Sequence, residues 1–342
     1  MRKNSQTLTT QSIPTLIKQL AIPASIGMFF NTMYNVVDTF YAGLISTQAI
    51  SALTLSFMIF FLIIGFGYGF SSAITALLGN ALGKKRYKLA SIYAHKGLIF
   101  VPLIGLTLSI IGYFFAPSLF MFLGAKDEYL QISLDYINPI LFGAIFFMFN
   151  FSLNSILIAT GDTKTYRNSL IFGFFANLAL NPLFMYGFLF VPAMGIKGIA
   201  FATVLIQIIN MFYLFYKVLQ TKLIHFDKLE YFIPNLRIYK LFFTHGIPSS
   251  LNMLTMAIGS LILTYFVSHY GIQAVAGYGI GYRVEQLMLL PALGLSTAVL
   301  ALVSNNFGAK KYDRVIETLK VSLKYGFIIA TVGIIFLTIL GR

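Results

Sequence analysis

The sequence predicts an all-α integral membrane protein built from two parallel copies of one helical unit: a six-helix N-lobe and a C-lobe truncated to three helices. Three observations carry that expectation. Apolar runs of about 20 residues or more recur nine times, the length a helix needs to cross the hydrocarbon of a bilayer. Charged residues make up 10% of the chain against 58% hydrophobic, whereas soluble domains carry about 25% charged residues. A shift of 225 residues also lays one stretch of chain over another, through loops as well as helices.

The nine runs lie near 17–42, 49–79, 95–120, 130–158, 168–190, 195–217, 241–268, 274–304 and 319–340. The polar start, MRKNSQTLTTQSIP, is not followed by a short apolar core with a small-residue cleavage site, so the first helix serves as its own insertion signal. Several runs exceed 25 residues, which implies tilt or extension beyond the hydrocarbon. Basic residues gather in alternate loops: Arg2 and Lys3, then Lys84, Lys85, Arg86 and Lys88, then Lys164 and Arg167, then Lys217, Lys222, Lys228, Arg237 and Lys240, and finally Lys310, Lys311 and Arg314. The intervening loops hold only Lys126 and Lys197. An excess of Lys and Arg marks the cytoplasmic side, so the N-terminus is placed in the cytoplasm and, after nine spans, the C-terminus outside. The net charge of +14 is therefore a topology signal, not a nucleic-acid-binding stripe. The expected organisation is an N-lobe over 1–220, a cytoplasmic linker over 221–240 and a C-lobe over 241–342.

The repeat pairs GFSSAITALLGNALGKKRY (Gly69 to Tyr87) with GLSTAVLALVSNNFGAKKY (Gly294 to Tyr312), with nine of nineteen positions identical. The same register pairs Pro23 with Pro248 and Gln48 with Gln273. Six spans separate the two starts, and an even number gives both copies the same orientation, related by an axis along the membrane normal. Arg342 corresponds to Pro117, so the second copy stops three spans short; the sequence reads as a fragment, a truncated reading frame or a half-completed protein.

Three charged side chains sit deep in apolar runs: Asp38, Arg283 and Glu285. An ionisable group in hydrocarbon needs a partner or a watery cavity, which makes Asp38 a functional candidate. Its alternative is a helix-end carboxylate reaching the interface, since it lies ~6–9 Å from the expected end of its helix. Asn177 and Asn181 are four residues apart on one face of the fifth helix, and Thr203 lies two turns into the sixth. One carboxylate, two amide oxygens and a hydroxyl make an all-oxygen set suited to Na⁺ or a hydrated proton carrier; plain interhelical hydrogen bonding is the competing reading. Arg283 and Glu285 point in different directions on one helix and suit a cavity wall or a structural ion pair. Pro23 and Pro248, at matching positions, each remove a backbone donor and suggest a bend that the architecture uses. Gly65, Gly67 and Gly69 imply close helix packing. The chain has no cysteine, so disulfides and thiolate metal sites are excluded. Four histidines at no metal-ligand spacing, and a GFGYGF run inside a span, supply no enzyme or cofactor signature.

Four features, in order, resemble multidrug and toxic compound extrusion (MATE) transporters: the first span with IP followed by YNVVDTFYAG, the exit of the fourth through NSILIATGDTK, NLALNP followed by VPAMGIKGIAFATV, and the repeated loop GNALGKKRY and NNFGAKKYDR. The resemblance covers the chain to its end, without the last three helices of that family. It implies two lobes forming a V around a central cavity, and cation-driven export of organic, often cationic, compounds across the bacterial inner membrane. By resemblance Asp38, Asn177, Asn181 and Thr203 match the N-lobe cation site, and Asn154 also matches a family position. Tyr34, Asn154, Arg283 and Glu285 are the expected substrate-cavity residues, and Pro23 and Pro248 the expected bending points. The coupling ion is H⁺ or Na⁺, with no cofactor and no metal beyond Na⁺. The partners are small organic substrates and the bilayer, with no nucleic acid, and the protein is a monomer. Some members carry an acid in the seventh span; here the position matching Asp38 is Leu263, and Glu285 is the acid left in that lobe. The alternatives are a lipid-linked oligosaccharide or peptidoglycan-precursor flippase of the same superfamily, which would need a more basic cavity, and an inactive fragment or a chain needing a complementing one.

Overall fold

Nine long α-helices account for most of the described residues, which in this computed structural model are 7–188, 191–270 and 272–340. They are α1 (Ile13–Ile45), α2 (Thr47–Gly83), α3 (Tyr87–Phe122), α4 (Asp127–Ala159), α5 (Lys164–Tyr186), α6 (Ile196–Leu219), α7 (Leu236–Ser268), α8 (Ile272–Gly308) and α9 (Tyr312–Leu340). Among the described residues, eight of the nine carry an apolar stretch long enough to cross a bilayer; α7, several of whose side chains are outside the description, is the exception. Most helices start earlier than their apolar runs. Lys88, Lys164, Arg167 and Arg314, expected in loops, lie in the opening turns of α3, α5 and α9. A helix satisfies its own backbone and so continues past the hydrocarbon without apolar side chains.

The turns between spans are short and capped. Ser46 alone separates α1 from α2, and its hydroxyl accepts the Ala49 N–H at 3.0 Å. The GDTK motif is the corner between α4 and α5. Gly161 takes a positive φ of 85°, and Asp162 accepts the Thr165 N–H at 3.0 Å and the Thr165 hydroxyl at 2.6 Å. Asn235 caps α7 by accepting the Arg237 and Ile238 amides at 3.1 and 3.2 Å.

In the N-lobe α4 is the central helix, packed against α2, α3 and α6, while α5 bridges α1 and α6. Phe70, Phe100, Ile137, Ile140 and Phe147 form much of the core, which Phe242 of α7 joins. The C-lobe helices dock as the repeat dictates. α7 packs on α2 and α8 packs on α1, each pair being the image of the other, and α8 also meets α2 directly. The glycines identical in the repeat are what permit this. A Cβ at Gly69 would run into Ser250 and the Gly246 carbonyl, and one at Gly294 would run into Ser25 and the Ala21 carbonyl. At the ends of the same helices, a Cβ at Gly83 would strike the Asn305 carbonyl and one at Gly308 the Asn80 carbonyl. Each of these glycine contacts is repeated 225 residues on, so the lobes are related by a two-fold axis between α2 and α8. α9 touches mainly α8 and leaves Leu323, Phe327, Ile334 and Ile339 exposed.

The segment between the lobes is fastened to α3. Ser91 donates to the Leu223 carbonyl at 2.6 Å, the His225 amide donates to His95 Nε2 at 3.1 Å, and the Lys96 ammonium donates to the Ile233 carbonyl. His95 Nδ1 is left to donate to the Ser91 carbonyl at 2.8 Å.

The glycine contacts make a direct prediction. Gly83→Val and Gly308→Val should each destabilise the detergent-solubilised protein by about 1–3 kcal/mol, the usual cost of overpacking. Gly326→Ala, where an added Cβ meets only Leu295 Cδ2 at 3.9 Å, should leave the thermal midpoint unchanged or slightly raised.

Candidate functional site

Asp38 sits two turns from the end of α1 and is 4% exposed. The helix runs on to Ile45, so the carboxylate lies about 10 Å from its end. α5 faces it with Asn177 and Asn181, both wholly buried. Each amide donates to Asp38 Oδ1 at 2.8 Å, and the two amides pair with each other at 3.2 and 3.4 Å. α6 brings Thr203, whose hydroxyl donates to Asp38 Oδ2 at 3.4 Å and accepts from the Tyr34 hydroxyl at 3.0 Å. The sequence-predicted quartet and Tyr34 are thus one cluster drawn from α1, α5 and α6. In this arrangement the amide nitrogens, and not the oxygens of the expected all-oxygen set, face the carboxylate.

Pro182 explains how α5 meets α1 here. Lacking an N–H, it frees the Leu178 carbonyl one turn back, and the Tyr41 hydroxyl of α1 donates to that carbonyl at 3.1 Å. The NLALNP run therefore supplies both amides and a second α1–α5 tie. An ionised carboxylate at the centre of a membrane helix costs about 2.5–3.5 kcal/mol on insertion scales. Hydrogen bonds to a charged acceptor contribute about 1.5–3 kcal/mol each, so three donors offset that cost.

Asp38, Tyr34 and Thr203 open onto a cavity of about 260 Å³ between the lobes. Its N-lobe wall includes Asn150, Asn154, Tyr136 and Gln207; the described C-lobe wall is Met253, Leu290, Leu293, Thr297 and Leu300, apolar apart from one hydroxyl. Asn154 is buried in this wall, away from the hydrogen bonds to Asp38, and its Oδ1 has no partner among the described residues. Glu285 is exposed and is not among the residues lining this cavity, and the Arg283 side chain lies outside the described residues. Pro23 is buried within an unbroken α1, and Pro248 lies within an unbroken α7.

The sequence reading missed Asn150, which donates to Gln207 Oε1 at 2.7 Å and to its carbonyl at 3.0 Å, leaving its own Oδ1 unpartnered among the described residues. The signal was present: Asn150 and Asn154 have the same four-residue spacing as Asn177 and Asn181. It also missed Arg167, which was assigned to a loop and here contributes to the cavity wall at the first turns of α5.

A bundle of membrane-length helices in two repeat-related lobes, enclosing a cavity with a buried acid in its wall, has the build of a secondary transporter. The chain belongs to the MatE family, whose profile matches residues 23–183 and again 248–342, two stretches that start one repeat apart. It is accordingly a multi-pass membrane transporter and not an enzyme. It is 29% identical, over all of its length and 76% of the relative's, to a probable multidrug resistance protein of Bacillus subtilis (strain 168). It is 25% identical, over 96% of its length and 73% of the relative's, to an FAD transporter of Shewanella oneidensis. Among solved structures it resembles a MATE transporter in the bent conformation, at a TM-score of 0.90 and 26% identity, covering 99% of this chain and 75% of that one.

The cluster predicts strong coupling between its members. Asn177→Leu alone should destabilise the protein by about 1–3 kcal/mol, because it strips a donor from a buried charge. In Asp38→Asn the same change should cost much less, and a double-mutant cycle on thermal unfolding in detergent should return the difference as a coupling energy.

Proposed function

We propose that the protein is a cation-coupled antiporter that exports organic, often cationic, compounds across the inner membrane, with the N-terminus in the cytoplasm. The observation that supports it most is the buried Asp38, held by donors from two other helices yet lining the cavity where a substrate would sit. A cation arriving at Asp38 removes the charge for which those donors are arranged and loosens the tie of α1 to α5 and α6. Such binding shifts the protein between states only by its difference in affinity for them. The two lobes, 1–220 and 241–342, would then rock about the glycine contacts between α2 and α8, with α1 free to bend at Pro23.

The donor arrangement bears on which cation this is. A proton can settle on Oδ2 with one rotation, in which the Thr203 hydroxyl changes from donor to acceptor. Na⁺ needs both amides to turn their oxygens inward, which breaks two bonds of 2.8 Å. H⁺ is therefore the favoured coupling ion, with Na⁺ the alternative. For the substrate, the unpartnered Asn150 and Asn154 oxygens in the cavity wall favour an organic compound carrying hydrogen-bond donors, and Asp38 favours a positive one.

A second reading, export of an anionic compound, draws on Arg167 in the cavity wall and on the similarity to an FAD transporter. Arg167 is the single cationic residue among the described lining residues, too few for the pyrophosphate of a lipid-linked precursor. Vesicles reconstituted with the purified chain should accumulate a fluorescent organic cation when a pH gradient is imposed, without Na⁺. Asp38→Asn should reduce uptake to the level of empty vesicles while inserting normally. Uptake by Asp38→Asn at the rate of the unmodified chain would remove Asp38 from the mechanism, and uptake of flavin nucleotide in place of the organic cation would favour the second reading.

A further inference from the structure

The short segment ahead of α1 is held in an unusual way. Leu8 is 2% exposed and packs in a buried cluster that joins Ile13, Leu16 and Ile17 of α1 and Ile158 of α4 to Leu295, Ala298, Ala301 and Leu302 of α8. Its backbone is gripped from the other lobe. The Asn306 amide, wholly buried, donates to the Leu8 carbonyl at 3.1 Å. The Arg314 guanidinium donates to the Gln11 carbonyl at 2.6 Å and the Leu8 carbonyl at 3.4 Å, and its Nε is oriented by Asn306 Oδ1 at 2.9 Å. The Lys311 ammonium donates to the Thr9 carbonyl at 2.8 Å. Beside it, Asn305 donates to the Ala159 carbonyl at the C-terminal end of α4, at 3.0 Å.

Apart from the Arg314–Asn306 bond, these bonds cross between lobes; all lie at the end where the basic loops gather, and the donors that grip residues 8–11 come from the last turn of α8, the turn that follows it and the first residues of α9. The Thr10 and Gln11 amides turn back onto the Thr7 carbonyl at 3.1 and 2.9 Å, and charged donors on the carbonyls of residues 8, 9 and 11 fix this turn in place. The Gly83–Asn305 and Gly308–Asn80 approaches close the same end of the α2–α8 seam.

We propose that residues 8–11 are the inner gate of the transporter: a strap that Arg314, Lys311 and Asn306 hold across the lobe interface while the cavity is shut at the basic-loop end. The strap must leave these donors and withdraw Leu8 for the cavity to open there. The proposal rests on the transport reading above and assigns it a gate. Release costs several charge-assisted bonds and one buried leucine, and it is cheap enough for a transport cycle because the freed carbonyls and guanidinium are taken up by water.

The absence of cysteine makes the test clean. In a Leu8→Cys protein, a water-soluble maleimide should label the thiol slowly, and adding Arg314→Ala should speed labelling at least about tenfold, as release of a gating segment does. Equal rates would overturn the strap. In a Thr10→Cys, Asp313→Cys protein, a flexible bifunctional thiosulfonate that ties the strap to α9 should depress vesicle uptake at least about tenfold relative to the same sample after reduction. Undiminished uptake by the linked protein would also overturn it. A chain that transports nothing in any form would remove the transport reading, while the labelling comparison would still decide whether Arg314 holds the strap.

Discussion

The hydrogen bonds to Asp38 are the constraint on which the rest of the N-lobe depends. A lone carboxylate in hydrocarbon dictates its surroundings: α5 must present two amides within 2.8 Å of it, and α6 a hydroxyl within 3.4 Å. The bonds hold α1 to its neighbours, and in the proposed mechanism they also act as a sensor, losing their reason when a cation cancels the charge.

The two lobes share a frame but not this chemistry. Gly69 and Gly294, and Gly83 and Gly308, make image contacts across the two-fold axis, so the repeat governs how helices approach one another. At the position matching Asp38 stands Leu263, 55% exposed, and the described C-lobe wall of the cavity is nearly apolar. In the proposed mechanism the C-lobe is therefore the surface against which the N-lobe moves, and the strap of residues 8–11 on Arg314 and Asn306 is a contact between unlike halves.

Much of this was legible in the residues. Helix number followed from apolar length, and the parallel two-fold arrangement followed from a repeat that kept one register through loops. The Asp38–Asn177–Asn181–Thr203 cluster followed from polar groups at similar depth in neighbouring apolar runs and from the family resemblance. What could not be read is instructive. Helix ends in the basic loops were placed too far inside, since nothing in hydropathy marks where a helix continues into water. Arg167 was counted as a topology charge because its place in the cavity wall depends on how α5 docks. The grip of Arg314 and Lys311 on residues 8–11 joins carbonyls to side chains about 300 residues away, and backbone acceptors carry no sequence signature.

The central claim is that a cation comes and goes at Asp38. Infrared difference spectra of the purified chain, recorded on changing pH and separately on adding Na⁺, report it without any transport assay. The account predicts a carboxyl band that appears on acidification and is missing from Asp38→Asn, with an altered carboxylate band on adding Na⁺ if that ion is the alternative coupling partner. Spectra in which the Asp38 signal responds to neither cation would contradict it.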